Sequence, residues 1–238
     1  MEIVRFLVEN TFLCNGGVFR RQTRGLPMGT NPAPVMANLY LYRYESSFVD
    51  RLIRNGMGYD AIKFRHSFRL IDDVLSIDNL SFKRFASINA PEDLTGRLIG
   101  GIYPSALTLN ETAISNRKVH FIGMELTDIG RCLVLDLFDK RREFPFTVIR
   151  YPHMDSVIPT NIPYGVFTGL LYRGYRICSR LVAFISHACD VANTLVKQGS
   201  KKKRLIRMFG IFLGKQSPFR WKTPIWKISR RFAKRLGN

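Results

Sequence analysis

Residues 68–78 read FRLIDDVLSID, and Asp72 and Asp73 are the only charged residues between Leu70 and Leu75. Adjacent carboxylates repel, and burial disfavours the charged form of each. Leu70, Ile71, Val74 and Leu75 give the flanks a strand-like character. The pattern predicts two short strands over residues 67–77, with the acid pair at the tip between them. A divalent cation reverses the repulsion and keeps both groups ionised. Few, hard oxygen ligands suit Mg²⁺ (or Mn²⁺), which completes its shell with water and substrate phosphates. The plain alternative is a solvated Asp-Asp turn, but a solvated turn needs no apolar frame.

A second element precedes it. Residues 22–45 read QTRGLPMGTNPAPVMANLYLYRYE. A Gly-Leu-Pro-x-Gly loop leads into a helix that Thr30 or Asn31 can cap, with Pro32 suited to its first position. Val35, Met36, Leu39 and Tyr40 continue at helical spacing to about Arg54, and NGMG at 55–58 ends the run,. Such a loop exposes backbone N–H groups at a helix N-terminus, which suits a phosphate or the close approach of a flat base. By itself it is also an ordinary loop-to-helix junction. The combination is more specific, with 45 positions from Pro27 to Asp72.

Elsewhere the periodicity predicts a helix over residues 1–14, with Ile3, Val4, Leu7, Val8 and Phe12 on one face. A turn at 14–17 and a strand at 18–25 follow. Residues 80–88 suit a short helix, 91–101 a connection and 106–112 a strand. KVHFIGMEL and CLVLDLF predict a hairpin about Asp128-Ile129-Gly130. Residues 144–163 are proline-rich and irregular. Helical spacing returns from Tyr164 to Leu195, and KKKRLIRMFGIFLGK predicts a basic helix. The last residues mix Trp221 and Trp226 with cations and read as a tail, mobile or ordered by a partner. The fold class is α+β, with an antiparallel sheet early and a helical region late.

The 238 residues carry 37 Lys and Arg against 18 Asp and Glu, a net charge of +19. The last acid is Asp190, and fourteen of the basic residues follow it, from Lys197 to Arg235. A one-sign segment of this kind speaks of partners, nucleic acid first, because neutralised phosphates release counterions. An anionic surface and a solubilising tail are the alternatives. No stretch approaches the roughly 18 apolar residues of a membrane span, and residues 1–13 lack the marks of a secretory signal. Cys14, Cys132, Cys178 and Cys189 form no CxxC pair and no metal spacing with the histidines,. They read as thiols of a reducing, intracellular compartment, nuclear or cytoplasmic.

The two elements, in this order, resemble motifs B and C of reverse transcriptases, and about residues 3–215 resemble the reverse-transcriptase domains of Penelope-like and related eukaryotic retroelements. GLPMGTNPAPVMANLYLYRYE matches motif B and its helix, and FRLIDDVLSI matches motif C. IYPSALTLNET at 102–112 falls at the next strand, and VHFIGMEL resembles the primer-grip hairpin. The resemblance implies an RNA-directed DNA polymerase of the right-hand type. Its palm is an antiparallel sheet plus helices, its C-terminal region is thumb-like, and its fingers are mostly missing. The divisions are residues 1–140 for fingers and palm, 141–163 for a connection, 164–215 for the thumb-like region and 216–238 for the basic tail. It makes Asp72 and Asp73 the catalytic metal ligands for Mg²⁺ or Mn²⁺. Gln22, Gly25, Pro27, Met28 and Gly29 would line the nucleotide and template site, with apolar Met28 where many relatives have Gln. Phe121, Gly123 and Met124 would hold the primer end. Tyr172, Arg173, Arg176, Lys201, Lys202, Lys203 and Arg204 would meet the backbone of the template–primer duplex. The partners implied are an RNA template, a DNA primer or RNA–DNA duplex, and deoxynucleotides.

One part of the family pattern is absent. A third carboxylate, in motif A, precedes motif B in these enzymes. Only 24 residues precede Gly25, and their acids, Glu2 and Glu9, lie on the predicted helix; Asp50 and Asp60 follow motif B. The expectation is a chain that begins inside the domain. It is then a fragment of an element, a subunit complemented by a polypeptide supplying motif A, or a retained nucleic-acid binder without catalysis. A basic structural protein of a particle would explain the C-terminal charge but not the acid pair.

Overall fold

The longest helix of the first half begins where its proline allows. The computed structural model describes residues 2–23, 25–27, 29–87, 100–113, 115, 117–146, 148–216 and 220–237, apart from the side chains of Ser87 and Arg142. In it Pro32 precedes helix α2, Ala33–Arg54, and no side chain caps the helix; the Thr30 hydroxyl instead donates to the Pro27 carbonyl at 3.0 Å. The chain is α+β, with small antiparallel sheets and helices, and it divides into two compact units, Met1–Glu111 and Thr112–Asn238.

The first unit opens with helix α1, Glu2–Glu9, and the hairpin of β1, Phe12–Asn15, with β2, Val18–Arg21. The predicted helix thus stops earlier than expected, and Phe12 belongs to a strand. None of the apolar side chains of α1 is buried. The core of this unit gathers on the other helices. Phe48 and Leu52, one turn apart on α2, are buried with Phe85, Ile102 and Tyr103. Phe85 lies on helix α4, Phe82–Ser87. Phe64, just after helix α3, Gly58–Lys63, meets Phe48 edge to face with centroids 5.2 Å apart. Strands β3, Ser67–Leu70, and β4, Asp73–Ser76, pair antiparallel, with Leu70 opposite Asp73, as the acid-pair stretch predicted. Residues 106–112, read as a strand, are irregular and exposed, and pair with no strand among the described residues. Most of the 91–101 connection lies outside the described residues.

The second unit begins with a meander rather than one hairpin. Strands β5, Lys118–Phe121, β6, Met124–Asp128, and β7, Leu133–Leu137, lie in that order. The stretch KVHFIGMEL, read as one strand, folds back on itself at Ile122-Gly123. Both have positive φ, 49° at Ile122 and 69° at Gly123. That backbone matches the right-handed strand twist of a two-residue hairpin. Gly123 also has a steric role, since a Cβ there would strike the Arg173 guanidinium. The meander lies in the same unit as the late helices, although the sequence grouped it with the first 140 residues.

Four helices build the larger core: α5, Ile162–Ile177; α6, Leu181–Lys197; α7, Lys202–Gly214; and α8, Ile225–Arg235. Phe167, Phe184, Phe209 and Phe232, one from each, are fully buried. Residues 220–237 are therefore not a tail: Ile228, Phe232 and Leu236 complete this core. The C-terminus of α5 is held from afar. The Arg220 guanidinium donates to the Tyr175, Arg176 and Cys178 carbonyls while lying over the Tyr175 and Trp221 rings. Charge-assisted bonds to helix-end carbonyls justify a sizeable effect. Arg220→Met is expected to lower the stability of this unit by about 1–3 kcal/mol, read as a lower urea midpoint with an unchanged slope. No described helix is long and apolar enough to cross a membrane.

Candidate functional site

The two acids lie at a turn whose backbone is strained. Ile71 and Asp72 form the two-residue loop between β3 and β4, and Ile71 has φ +54°. A β-branched residue rarely adopts that conformation, which the first position of such a loop normally assigns to glycine. Strain of this kind costs on the order of 1–3 kcal/mol and persists only where neighbours over-determine it.

Helix α2 supplies those neighbours. The Ile71 N–H donates to Asn38 Oδ1 at 3.1 Å. Arg69, on β3, donates to the same oxygen at 2.7 Å and to the Asn38 carbonyl at 2.9 Å. It also donates to the Ile71 carbonyl at 3.4 Å and to Glu45, with Nε–Oε1 at 2.5 Å and Nη2–Oε2 at 3.2 Å. Tyr103 donates its hydroxyl to Glu45 Oε1 at 2.8 Å; burial, with that carboxylate beside it, pushes the phenol pKa up. The strand alternation explains the division of labour. Ser67 and Arg69 turn toward cover, whereas Phe68 and Leu70 are exposed. A bidentate guanidinium–carboxylate pair fixes direction as well as charge. Arg69→Met is expected to destabilise the first unit by about 2–4 kcal/mol, because it leaves the part-buried Glu45 carboxylate with the Tyr103 hydroxyl but no cation,. The check is hydrogen exchange, where the amides of Leu70–Asp73 should lose protection more than those of α4.

Asp72 and Asp73 themselves are exposed. Neither carboxylate has a hydrogen-bond or ion-pair partner among the described residues, although the chain carries a net charge of +19. Two adjacent, unpaired, hydrated carboxylates fit a hard divalent cation that completes its shell with water and phosphate oxygens. Among the described residues no group of three or more His, Cys, Asp or Glu gathers around a common point.

The glycine loop approaches the same end of α2. Asn38 lies five residues beyond Ala33, about 7–8 Å along the helix axis. The strained acid turn thus sits within about two helical turns of the point where the loop enters α2. Gly25 and Gly29 both have positive φ, +80° and +91°, and Pro27 is buried. The Gln22 side chain lies beside Gly25, its Nε2 3.6 Å from where a Cβ would stand. Met28 lies outside the described residues.

In the second unit the predicted residues separate into two places. Gly123 and Arg173 meet at the β5–β6 turn, where Phe121 pairs with Met124. Phe121 is buried and packs rather than presenting its ring; Ile122 is the exposed residue at the tip. Tyr172 sets its ring edge on Phe212, with centroids 4.9 Å apart, and Arg173 and Arg176 are exposed on the same helix. Lys201, Lys203 and Arg204 belong to the other end of α5. The Lys201 N–H donates to the Tyr164 hydroxyl at 3.0 Å, and Arg204 covers the Tyr164 ring at 3.9 Å. Nine residues separate Tyr164 from Arg173, about 13 Å of helix. Lys202 is held locally, donating Nζ to the Gly237 carbonyl.

The sequence alone did not single out Asn38, Arg69 and Glu45. Asn38 and Glu45 stand seven residues apart, and so on one face of a helix. Arg69 is the one cation of its strand. Those two signals together mark the network. Comparison of the chain with protein-family models, with curated proteins and with solved structures finds no match.

Proposed function

We propose that the chain is the nucleic-acid-handling core of a reverse-transcriptase-type polymerase, an RNA-directed DNA polymerase by design of its site. One observation carries the reading. An acid pair without counter-ions is displayed on a strained turn that Asn38 and Arg69 pin to the helix following the Gly-Leu-Pro-Met-Gly loop. Asp72 and Asp73 would hold Mg²⁺ or Mn²⁺, the remaining carboxylate coming from outside the described residues, as from a complementing polypeptide. Bound there, the ions supply activation of the attacking 3′-hydroxyl and stabilisation of the leaving pyrophosphate. The chain's own part is positioning. Arg69 and Glu45 keep the acid turn rigid against α2. The backbone at Gly25 and Gly29, both at positive φ, receives the incoming deoxynucleotide and its template base. The Ile122-Gly123 turn with Arg173 beside it holds the primer strand. Helices α5–α8 act as a thumb that meets the template–primer duplex through phosphates, and α2 with the β3–β4 hairpin belongs to the palm.

A second reading is a nucleic-acid binder without catalysis, a retained relative of such polymerases. It is favoured by the lack of a third acid near Asp72 among the described residues. Extension of a DNA primer on an RNA template, with labelled deoxynucleotides and Mg²⁺ or Mn²⁺, separates the two. Incorporation by the purified chain supports the polymerase. Salt-sensitive retention of the primed template without incorporation supports the binder, and no retention overturns both.

A further inference from the structure

Helix α8 presents its charges beside a groove. Ile228, Phe232 and Leu236 recur at positions i, i+4 and i+8 and are buried,. Arg231 and Arg235 follow the same spacing on one flank of that stripe, with Lys234 between them. This flank faces α6. Val182 and Ile185 of α6, with Arg231, Lys234 and Arg235 of α8, line a groove of about 550 Å³. Its floor is apolar and its rim is cationic, and α8 contains no acid. Arg235 also lies near Cys189, the next turn of α6, where its charge opposes the burial that pushes that thiol up to about 11. The Lys202–Gly237 bond brings the first turn of α7, with Lys201 and Lys203, to the end of α8.

From this arrangement we infer that the α6–α8 groove is a binding track for a single strand of nucleic acid, distinct from the Arg173 surface. The charge fixes a polyanion. The apolar floor selects a strand whose sugars and bases are uncovered, since a duplex offers chiefly phosphates on its outside. A lipid surface fits less well. Apart from the exposed Trp226, the large apolar residues of α8 pack into or against the core, so the helix has no continuous oily face left to lower into a bilayer,. The inference rests on the nucleic-acid reading above and names a surface for it.

The test uses the full chain, because α7 and α8 are core helices and deletion of residues 198–238 would dismantle the unit. Binding of labelled oligothymidylate is measured across a salt series. The variants are Arg231→Gln with Lys234→Gln and Arg235→Gln, and separately Val182→Glu, which places an anion at the exposed mouth of the groove. Both should keep the wild-type melting point. Affinity at low salt should fall roughly 10- to 100-fold, and the triple variant should lose about 2 from the log–log salt slope. Wild-type binding that neither variant alters overturns the groove and leaves the nucleic-acid reading standing. A wild type that retains no oligonucleotide and no primed template overturns both. Binding to phosphatidylserine vesicles with none to oligothymidylate overturns the choice of ligand. Should the triple variant fail to fold, Val182→Glu decides between these outcomes.

Discussion

Phe232→Ala is expected to lower the melting point of the second unit by roughly 10–20 °C. Phe232 is fully buried, stacked on Phe209 with centroids 4.0 Å apart and facing Phe167 at 6.3 Å. Removing a ring from such a place costs about 3–5 kcal/mol, through lost burial and the cavity left behind. That is a large share of the roughly 5–15 kcal/mol that holds a domain together. The same substitution at Trp226, which is 62% exposed, should stay within about 0.5 kcal/mol,. The pair is decisive because the two residues belong to one helix. If α8 were an appendage, both changes would be small. Calorimetry on the full chain should also resolve the transition of the first unit, which Phe232→Ala should leave in place. A Phe232→Ala melting curve like the wild type's would contradict the placement of α8 in the core.

The C-terminal helix also shows why part of this fold escaped a reading of the sequence. Ile225, Ile228, Phe232 and Leu236 have a helical spacing that was there to be seen. Five cations interleaved among them from Lys227 to Arg235 made the stretch look like a solvated tail. Charge density describes what a helix shows to water, and says nothing of its opposite face. The break at Ile122 was hidden for another reason. Isoleucine is a strand residue by propensity, and only tertiary packing puts it at positive φ beside Gly123. At residues 106–112 the alternation was real, but a strand also needs a neighbour with free backbone groups. By contrast α2, the acid hairpin and α7 were legible, and residues 164–195 read as helical, although the break between Ile177 and Leu181 that separates α5 from α6 did not show. The starts and stops of α2 and the hairpin are written locally, in Pro32, Asn55-Gly56 and the Asp pair.

The candidate site divides in the same way. Its display was legible, because two carboxylates in an apolar frame are a local anomaly. Its support was not, since Asn38 and Glu45 come from a helix some thirty positions before Arg69. Nor did the sequence reveal that Ile71 bears the strain of the turn. The resemblance implied that Phe121 helps to hold a primer end; in the structure Phe121 is buried and Ile122 is exposed at the tip of the turn.

Asp72→Asn should abolish metal binding at the turn and, with it, any primer extension, without destabilising the fold. The argument begins from what Asp72 and Asp73 lack. They have no partner among the described residues, so their charges contribute no attraction to the folded state. Neutralising one removes a repulsion with its neighbour, and the melting point should hold or rise slightly. A cation site depends on the same charge. Mn²⁺ added to the wild type should broaden the amide signals of Ile71–Val74, with an affinity on the order of millimolar for so few carboxylates. In Asp72→Asn that local broadening should vanish. Primer extension should fall by at least about 100-fold, the scale of losing one preorganised electrostatic contact to the transition state. Asp73→Asn, altering the strand residue beside the turn, should weaken both signals less. Asp78→Asn is the control, an exposed acid of the same stretch beyond the end of β4, and should change neither. Broadening that persists in Asp72→Asn would sink the metal site, as would its loss in Asp78→Asn. Loss of Mn²⁺ binding together with a collapse of the melting point would instead make Asp72 a structural residue of the turn.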